Sequence, residues 1–162
     1  CGMLQAEVDA GHCRLQNTRR GSFRGHGGVG TEGPDRPGST VKTFLLLGSV
    51  SAFLAVALGA FAAHGLKDKL SPEMLGVFEV GVRYHLYHSL ALFVVAWIGS
   101  QYPEVNSSPA GWLFAAGIVL FSGSLYAMSV SGTRWLGIVT PFGGICFLGG
   151  WIWIAWGVWK SN

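Results

Sequence analysis

The segment 83–92, Arg-Tyr-His-Leu-Tyr-His-Ser-Leu-Ala-Leu, gathers most of the residues in this chain that could do chemistry. It holds two histidines, two tyrosines and a serine, and it continues into an apolar run that ends at Ile98. Three uses are open to such a set: a hydrogen-bonded contact between helices, a polar lining for a transported solute, or ligation of a metal ion or haem. Which of them applies depends on the elements that position the segment.

The composition is that of an integral membrane protein. Of 162 residues, 50% are hydrophobic and only 12% are charged, whereas globular proteins carry about 25% charged residues. No charged residue occurs at 43–66, 105–133 or 135–159, and a helix needs roughly 20 apolar residues to cross a bilayer. These uncharged stretches predict the lipid bilayer as a partner. The net charge of +3 arises mostly from the first 42 residues. Because the remainder is nearly balanced in charge, no nucleic-acid partner is predicted.

Residues 1–40 differ sharply from the rest of the chain. They are rich in glycine, arginine and polar residues and have almost no periodic hydrophobicity. Such a composition buries too little apolar surface to order a chain, so we predict a disordered tail. Because the composition changes abruptly at Val41, we also hypothesise that the natural protein starts there and that the tail is a mis-called start.

Residues 41–162 predict an all-α membrane protein, a four-helix transmembrane bundle. The spans are expected at about 44–66, 77–99, 110–130 and 136–159. Ser71, Pro72 and Glu73 have the N-cap, first-turn proline and first-turn acid of a helix start, and that helix leads into the second span. We therefore expect a multi-pass protein of the bacterial inner membrane.

Small residues indicate where these helices pack. Ser51, Ala55, Gly59 and Ala63 recur every four residues in the first span, and Gly123 begins a similar row in the third. Small side chains let transmembrane helices approach closely. Gly59 and Gly123 are therefore predicted packing positions.

Pro141 and Gly144 belong to a Thr-Pro-Phe-Gly-Gly segment near the start of the fourth span. A proline inside a helix removes a backbone donor and kinks the helix. We expect a kink here that shapes packing, although broken helices also line substrate sites in transporters.

Depth distinguishes the histidines. His88 lies ten residues before Ile98, about 15 Å along the helix from that end of the span, and a polar group at such depth needs a partner inside the bundle. Tyr84 precedes it by one turn, and the third span supplies hydroxyls. His64 ends the first span, where it also fits a C-terminal cap. The candidate internal polar site comprises His64, Tyr84, His88, Ser122, Ser124 and Tyr126.

Metal, haem and catalytic chemistry find little support. Ligands at His64, His85 and His88 would lie at different levels of the bundle, and the three cysteines lack paired or metal-ligand spacing. The chain has no nucleophile elbow, phosphate loop or carboxylate pair. We predict no enzyme activity, no metal and no cofactor.

Four motifs, taken in order, resemble one known family. They are Gly-Ala-Phe-Ala-Ala-His-Gly at 59–65, Tyr-His-Leu-Tyr-His-Ser-Leu at 84–90, Phe-Ser-Gly-Ser-Leu-Tyr at 121–126 and Thr-Pro-Phe-Gly-Gly at 140–144. The family is the YgdD-like group of small inner-membrane proteins, a domain of unknown function with animal relatives, and the resemblance covers about 41–159. It implies a multi-pass membrane protein without an established reaction or ligand. The family pattern includes His64, Tyr84, His88, Ser122, Gly123, Tyr126, Pro141 and Gly144, and does not include His85.

Three functions follow as hypotheses. The first is a non-enzymatic membrane protein that packs with a second copy or another membrane protein through its small-residue faces. The second is a small transporter or channel subunit with an internal polar site around His88. The third is a haem- or metal-binding redox component.

Overall fold

Five α-helices follow one another in the computed structural model, which describes residues 37–161. They are α1 (Pro37–Phe61), α2 (Pro72–Gln101), α3 (Ser108–Gly117), α4 (Gly123–Ser131) and α5 (Thr140–Lys160). A π-helical turn, Ala62–Leu66, extends α1, and a second one, Ile118–Ser122, joins α3 to α4 in a single rod. A 3-10 helix, Arg134–Ile138, precedes α5. Since this part of the chain contains no strand, the all-α prediction is confirmed for it.

The first helix begins earlier than the sequence suggests. Residues 37–40, assigned above to the tail, form the first turn of α1, ahead of the span expected at 44. The predicted disorder of residues 1–36 lies outside the described residues.

Among residues 37–161, three stretches are long and apolar enough to cross a membrane: Gly38–Leu66, Ser108–Ser131 and Arg134–Lys160. They correspond to the first, third and fourth predicted spans. The second predicted span lies in α2, which has 30 residues and so extends about 45 Å, but it carries histidines, tyrosines and charged residues. The structure thus supplies three apolar membrane-length helices and one long helix of mixed character.

Helix α2 packs between α1 and the α3–α4 rod, while α5 packs on the rod. Helix α2 starts where the serine cap and the first-turn proline predicted, because the Ser71 hydroxyl accepts a hydrogen bond from the N–H of Met74 and Pro72 is in the first turn. Gly132 follows the last residue of the α3–α4 rod; it has φ 70°, and its N–H donates to the carbonyl of Met128. Glycine adopts this left-handed conformation without strain, which lets the chain turn back into α5.

Buried apolar side chains form two clusters. The larger is centred on Phe44, Leu92, Val95, Phe114 and Phe147, and the smaller consists of Ala62, Leu66 and Phe78. The exposed side chains of α1 and α5 are mostly apolar as well. Because apolar surface is favourable toward lipid, this distribution fits a bundle whose outer face meets hydrocarbon.

Close helix approaches occur at only some of the predicted positions. A Cβ at Gly59 would lie 3.2 Å from Cγ1 of Val82, so Gly59 does face α2. A Cβ at Gly123 would meet no atom within 4 Å. Gly123 is therefore a position with open space beside it and not one of tight packing.

The start of α5 also differs from expectation. Pro141 lies in the first turn of α5, where a missing backbone donor is tolerated, so it does not interrupt the α-helix. A Cβ at Gly144 would meet nothing within 4 Å, whereas one at the neighbouring Gly143 would overlap the backbone of Phe121. The close approach of α5 to the rod is therefore at Gly143.

Candidate functional site

A chain of hydrogen bonds links α1, α2 and α4. The Oγ atom of Ser51 lies 2.9 Å from Nε2 of His85 and 2.7 Å from Oγ of Ser89. The other ring nitrogen of His85, Nδ1, lies 3.2 Å from the hydroxyl of Tyr126. Ser89 donates to the backbone carbonyl of His85 at 2.7 Å. These four residues, called the His85 chain below, bring side chains from three helices together.

The contacts determine which atom donates in each bond. The single hydroxyl hydrogen of Ser89 goes to a carbonyl, which can only accept, so Ser89 accepts the hydrogen of Ser51. Ser51 must then accept from Nε2–H of His85. In neutral imidazole the second nitrogen is an acceptor, so the Tyr126 hydroxyl donates to Nδ1. This assignment satisfies all four contacts with one set of protons.

An apolar groove of about 490 Å³ opens beside the His85 chain, between α1 and the α3–α4 rod. It extends along α1 from Leu47 to Leu58, which is about 16 Å of helix. Three of its lining residues belong to the His85 chain, namely Ser51, His85 and Tyr126. The other lining residues are Leu47, Val50, Leu54, Leu58, Leu92, Ala115, Ile118, Val119 and Gly123.

A π-helical turn forms part of this groove. It spans Ile118–Ser122 and contains two groove-lining residues, Ile118 and Val119. Such turns inside α-helices are frequent at functional sites. The turn ends at Ser122, whose side chain is fully buried and whose Oγ has no hydrogen-bond partner among residues 37–161.

His88 has different surroundings from His85. Its Nδ1 donates to the carbonyl of Tyr84 at 2.9 Å, on the same helix. Its ring lies flat on that of Phe147, with centroids 3.4 Å apart and planes at 7°. The rings of Phe114 and Trp151 have centroids 5.6 Å and 6.4 Å away. His88 therefore packs α2 against α5 through its ring, and no hydroxyl of the α3–α4 rod bonds to it within the described residues.

The remaining predicted residues fall into separate places. Ser124 donates to the carbonyl of Phe121 and also lies 2.9 Å from Oγ1 of Thr140, which joins the rod to α5. Tyr84 packs against the ring of Phe121, with centroids 4.7 Å apart. His64 is exposed in the turn that extends α1.

Of the six residues predicted as an internal polar site, only Tyr126 belongs to the His85 chain. Between Pro37 and Ser161, no group of three histidine, cysteine or acidic side chains lies close enough to hold a metal ion. The three histidines at 64, 85 and 88 are thus not brought to a common centre.

Ser51, His85 and Ser89 are the site residues that the predicted internal polar site did not include. His85 and Ser89 were visible in the segment 83–92, and they lie one helical turn apart on one face of α2. Ser51 was also visible, as a member of the small-residue row of α1. The signal for this pair is that Ser51 is the polar member of a small-residue row, and such rows mark the helix face that meets a neighbour.

Comparisons with known proteins agree with a membrane protein of unknown function. Residues 58–144 match a family model described as Protein of unknown function (DUF423), and all four motifs given above lie within this range. The chain is similar to the UPF0382 membrane protein YwdK of Bacillus subtilis, with 51% identity over 116 residues that cover 71% of this chain and 94% of the relative.

Two staphylococcal proteins are similar as well. A UPF0382 membrane protein of Staphylococcus epidermidis is 46% identical over 112 residues, which cover 69% of this chain and 91% of the relative. The UPF0382 membrane protein SSP2132 of Staphylococcus saprophyticus is 42% identical over 120 residues, or 74% of this chain and 99% of the relative. No solved structure matches the chain.

Proposed function

Because the chain belongs to the DUF423 family, whose relatives are named UPF0382 membrane proteins, we propose that it is a four-span protein of the bacterial cytoplasmic membrane that acts by binding and not by catalysis. Its ligand would be an apolar or amphiphilic molecule that passes from the bilayer into the apolar groove between α1 and the α3–α4 rod, called the lateral groove below. We also propose that the chain belongs with the YgdD-like group of small inner-membrane proteins, which its four motifs resemble.

Burial in α2 supports a fourth span. His85, His88 and Ser89 are all buried, so these three polar side chains point away from the surface that would meet lipid, whereas the arginine and both tyrosines of the segment 83–92 are exposed. A mixed helix can cross a bilayer when its polar side chains face the bundle interior and have partners. Relatives from Bacillus and Staphylococcus support a bacterial membrane.

The lateral groove is the observation that carries the proposal. Its volume of about 490 Å³ lies within the range of small-molecule sites, roughly 300–1,000 Å³, and such sites combine apolar walls with a few polar groups. The groove lies between α1 and the rod, two elements that contain membrane-length apolar stretches. A molecule dissolved in the bilayer could therefore enter sideways, without passing through water.

The donor direction in the His85 chain argues against a hydrolase. In a serine–histidine pair that is ready for catalysis, the histidine accepts the serine proton, and an acid on the far side holds the ring in that tautomer. Here His85 donates to Ser51, and Tyr126 donates to the atom that such an acid would contact. Ser51 is accordingly a structural hydroxyl and not an activated nucleophile.

The other functions predicted from the sequence receive less support. A transport site around His88 would need space beside that ring, but aromatic side chains cover it. Association with a second copy or with another membrane protein stays a prediction.

Filling the groove tests the proposal. Val119 lines the groove and is 70% exposed, while Val130 on the same rod is 63% exposed and does not line it. We expect protein purified from its own membrane in mild detergent to carry an apolar molecule that organic extraction and mass spectrometry detect. Val119→Trp should lower its amount severalfold, and Val130→Trp should leave it unchanged. A wild-type protein that carries no such molecule, or equal amounts in all three proteins, would overturn the proposal.

A further inference from the structure

The geometry points to a ligand class: the groove selects a neutral amphiphile that carries a hydrogen-bond donor, such as a long-chain alcohol, and the Tyr126 oxygen accepts that hydrogen. This inference rests on the proposed function, since it names the ligand of the same groove. It follows from the proton positions in the His85 chain and from the residues that line the walls.

Every donor of the His85 chain is already used. The hydroxyl of Tyr126 donates to His85, the Nε2–H of His85 donates to Ser51, and Ser51 donates to Ser89. Within residues 37–161, the oxygen of Tyr126 accepts no hydrogen bond, and that of Ser51 keeps one acceptor position. The groove therefore offers acceptors and no free donor. A ligand that can only accept hydrogen bonds, such as an ether, therefore finds no hydrogen-bond donor in the groove.

The walls exclude a charged ligand. None of the groove-lining residues is Asp, Glu, Lys or Arg, so no side chain there could neutralise a phosphate or an ammonium group. Placing an unpaired charge in such surroundings is costly. The donor must accordingly be neutral, as in a hydroxyl or an amide N–H group.

Depth strengthens the selection. Ser51 lies near the middle of the membrane-length stretch Gly38–Leu66, so the acceptors lie at a level where lipid offers little to bond with. A hydroxyl at that depth is unsatisfied in hydrocarbon, and it becomes satisfied on docking against Tyr126. A net hydrogen bond of about 1 kcal/mol corresponds to roughly a fivefold gain in affinity.

A matched pair of probes tests the inference. Purified protein in detergent is titrated with dodecanol and with dodecyl methyl ether, which share the apolar chain but differ in the donor. We expect the alcohol to bind about fivefold more tightly than the ether. In Val119→Trp both probes should bind severalfold more weakly.

The outcomes separate the inference from the proposed function. Equal affinities for alcohol and ether in the wild-type protein would overturn the inference and leave groove binding intact. No saturable binding of either probe would overturn both.

Discussion

The hydroxyl of Tyr126 lies 3.2 Å from Nδ1 of His85, although 41 positions of the sequence separate the two residues. This contact connects α4 to α2, and it fixes the imidazole so that its Nε2–H points to Ser51 on α1. One tyrosine on the rod thereby determines the proton positions at a junction of three helices.

Removing the Tyr126 hydroxyl should destabilise the bundle. In Tyr126→Phe, Nδ1 of His85 loses its donor, and we expect the free energy of unfolding to fall by about 0.6–1.7 kcal/mol, which spans the average to the maximum found for hydrogen bonds between transmembrane helices by double-mutant cycles. Tyr84→Phe is the matched control, because the Tyr84 hydroxyl makes no hydrogen bond in the part of the chain that the structure describes. Reversible denaturation in SDS measures both variants. Equal losses would contradict the assigned bond.

The two histidines should respond differently to phenylalanine. His85→Phe removes two interhelical hydrogen bonds, to Ser51 and Tyr126, and leaves the Tyr126 hydroxyl without a partner, so we expect a loss of about 1–3 kcal/mol. His88→Phe preserves an aromatic ring against Phe147 and removes only a bond within α2. Its effect should stay below about 1 kcal/mol. A larger loss from His88→Phe than from His85→Phe in thermal or SDS unfolding would return the central role to His88.

Two adjacent glycines of α5 should differ sharply. Gly143→Ala places a methyl group against the backbone of Phe121, which cannot move aside as a side-chain tip could. We expect a loss of about 1–3 kcal/mol, typical of overpacking. Gly144→Ala meets open space, and alanine is the better helix former by about 1 kcal/mol, so this variant should be neutral or more stable. The melting temperatures of the two variants test this, and the reverse order would refute the approach of α5 to the rod.

Ser124 and Thr140 should be coupled. Their hydroxyl oxygens lie 2.9 Å apart and join the rod to the first residue of α5. A double-mutant cycle with Ser124→Ala and Thr140→Val should give a coupling energy of about 0.6–1.7 kcal/mol. The matched cycle pairs Ser131→Ala with Thr140→Val, because Ser131 donates only to a carbonyl of its own helix. Similar coupling in both cycles would show that the contact contributes nothing specific.

Some features of the fold could be predicted because they depend on local chemistry. The absence of charge over long stretches predicted apolar membrane-length helices, and the described part of the chain contains three of them. The start of α2 could be predicted because a serine cap and a first-turn proline act within one helical turn. Gly59 faces α2, as the small-residue row of α1 suggested. The start of α1 at Pro37 could not be predicted, since residues 37–40 lack an apolar pattern.

The site was harder to predict because depth and direction are different quantities. Counting residues from Ile98 gave the depth of His88, but depth does not say which neighbour a side chain faces. His88 faces the ring of Phe147 on α5, while His85 faces Ser51 and Tyr126. A difference of three residues along α2 directs these two histidines to different neighbours.

By itself, the sequence determined that this is a helical membrane protein whose polar residues collect in α2, because composition and periodicity depend on the bilayer as solvent and on the geometry of single helices. Only the tertiary structure decided that Ser51, His85, Ser89 and Tyr126 form one chain beside a lateral groove, and that Gly143 and not Gly144 lies against the rod. The physical reason is that such contacts depend on how neighbouring helices cross and rotate. That arrangement results from the packing of all the helices together, and no single segment encodes it.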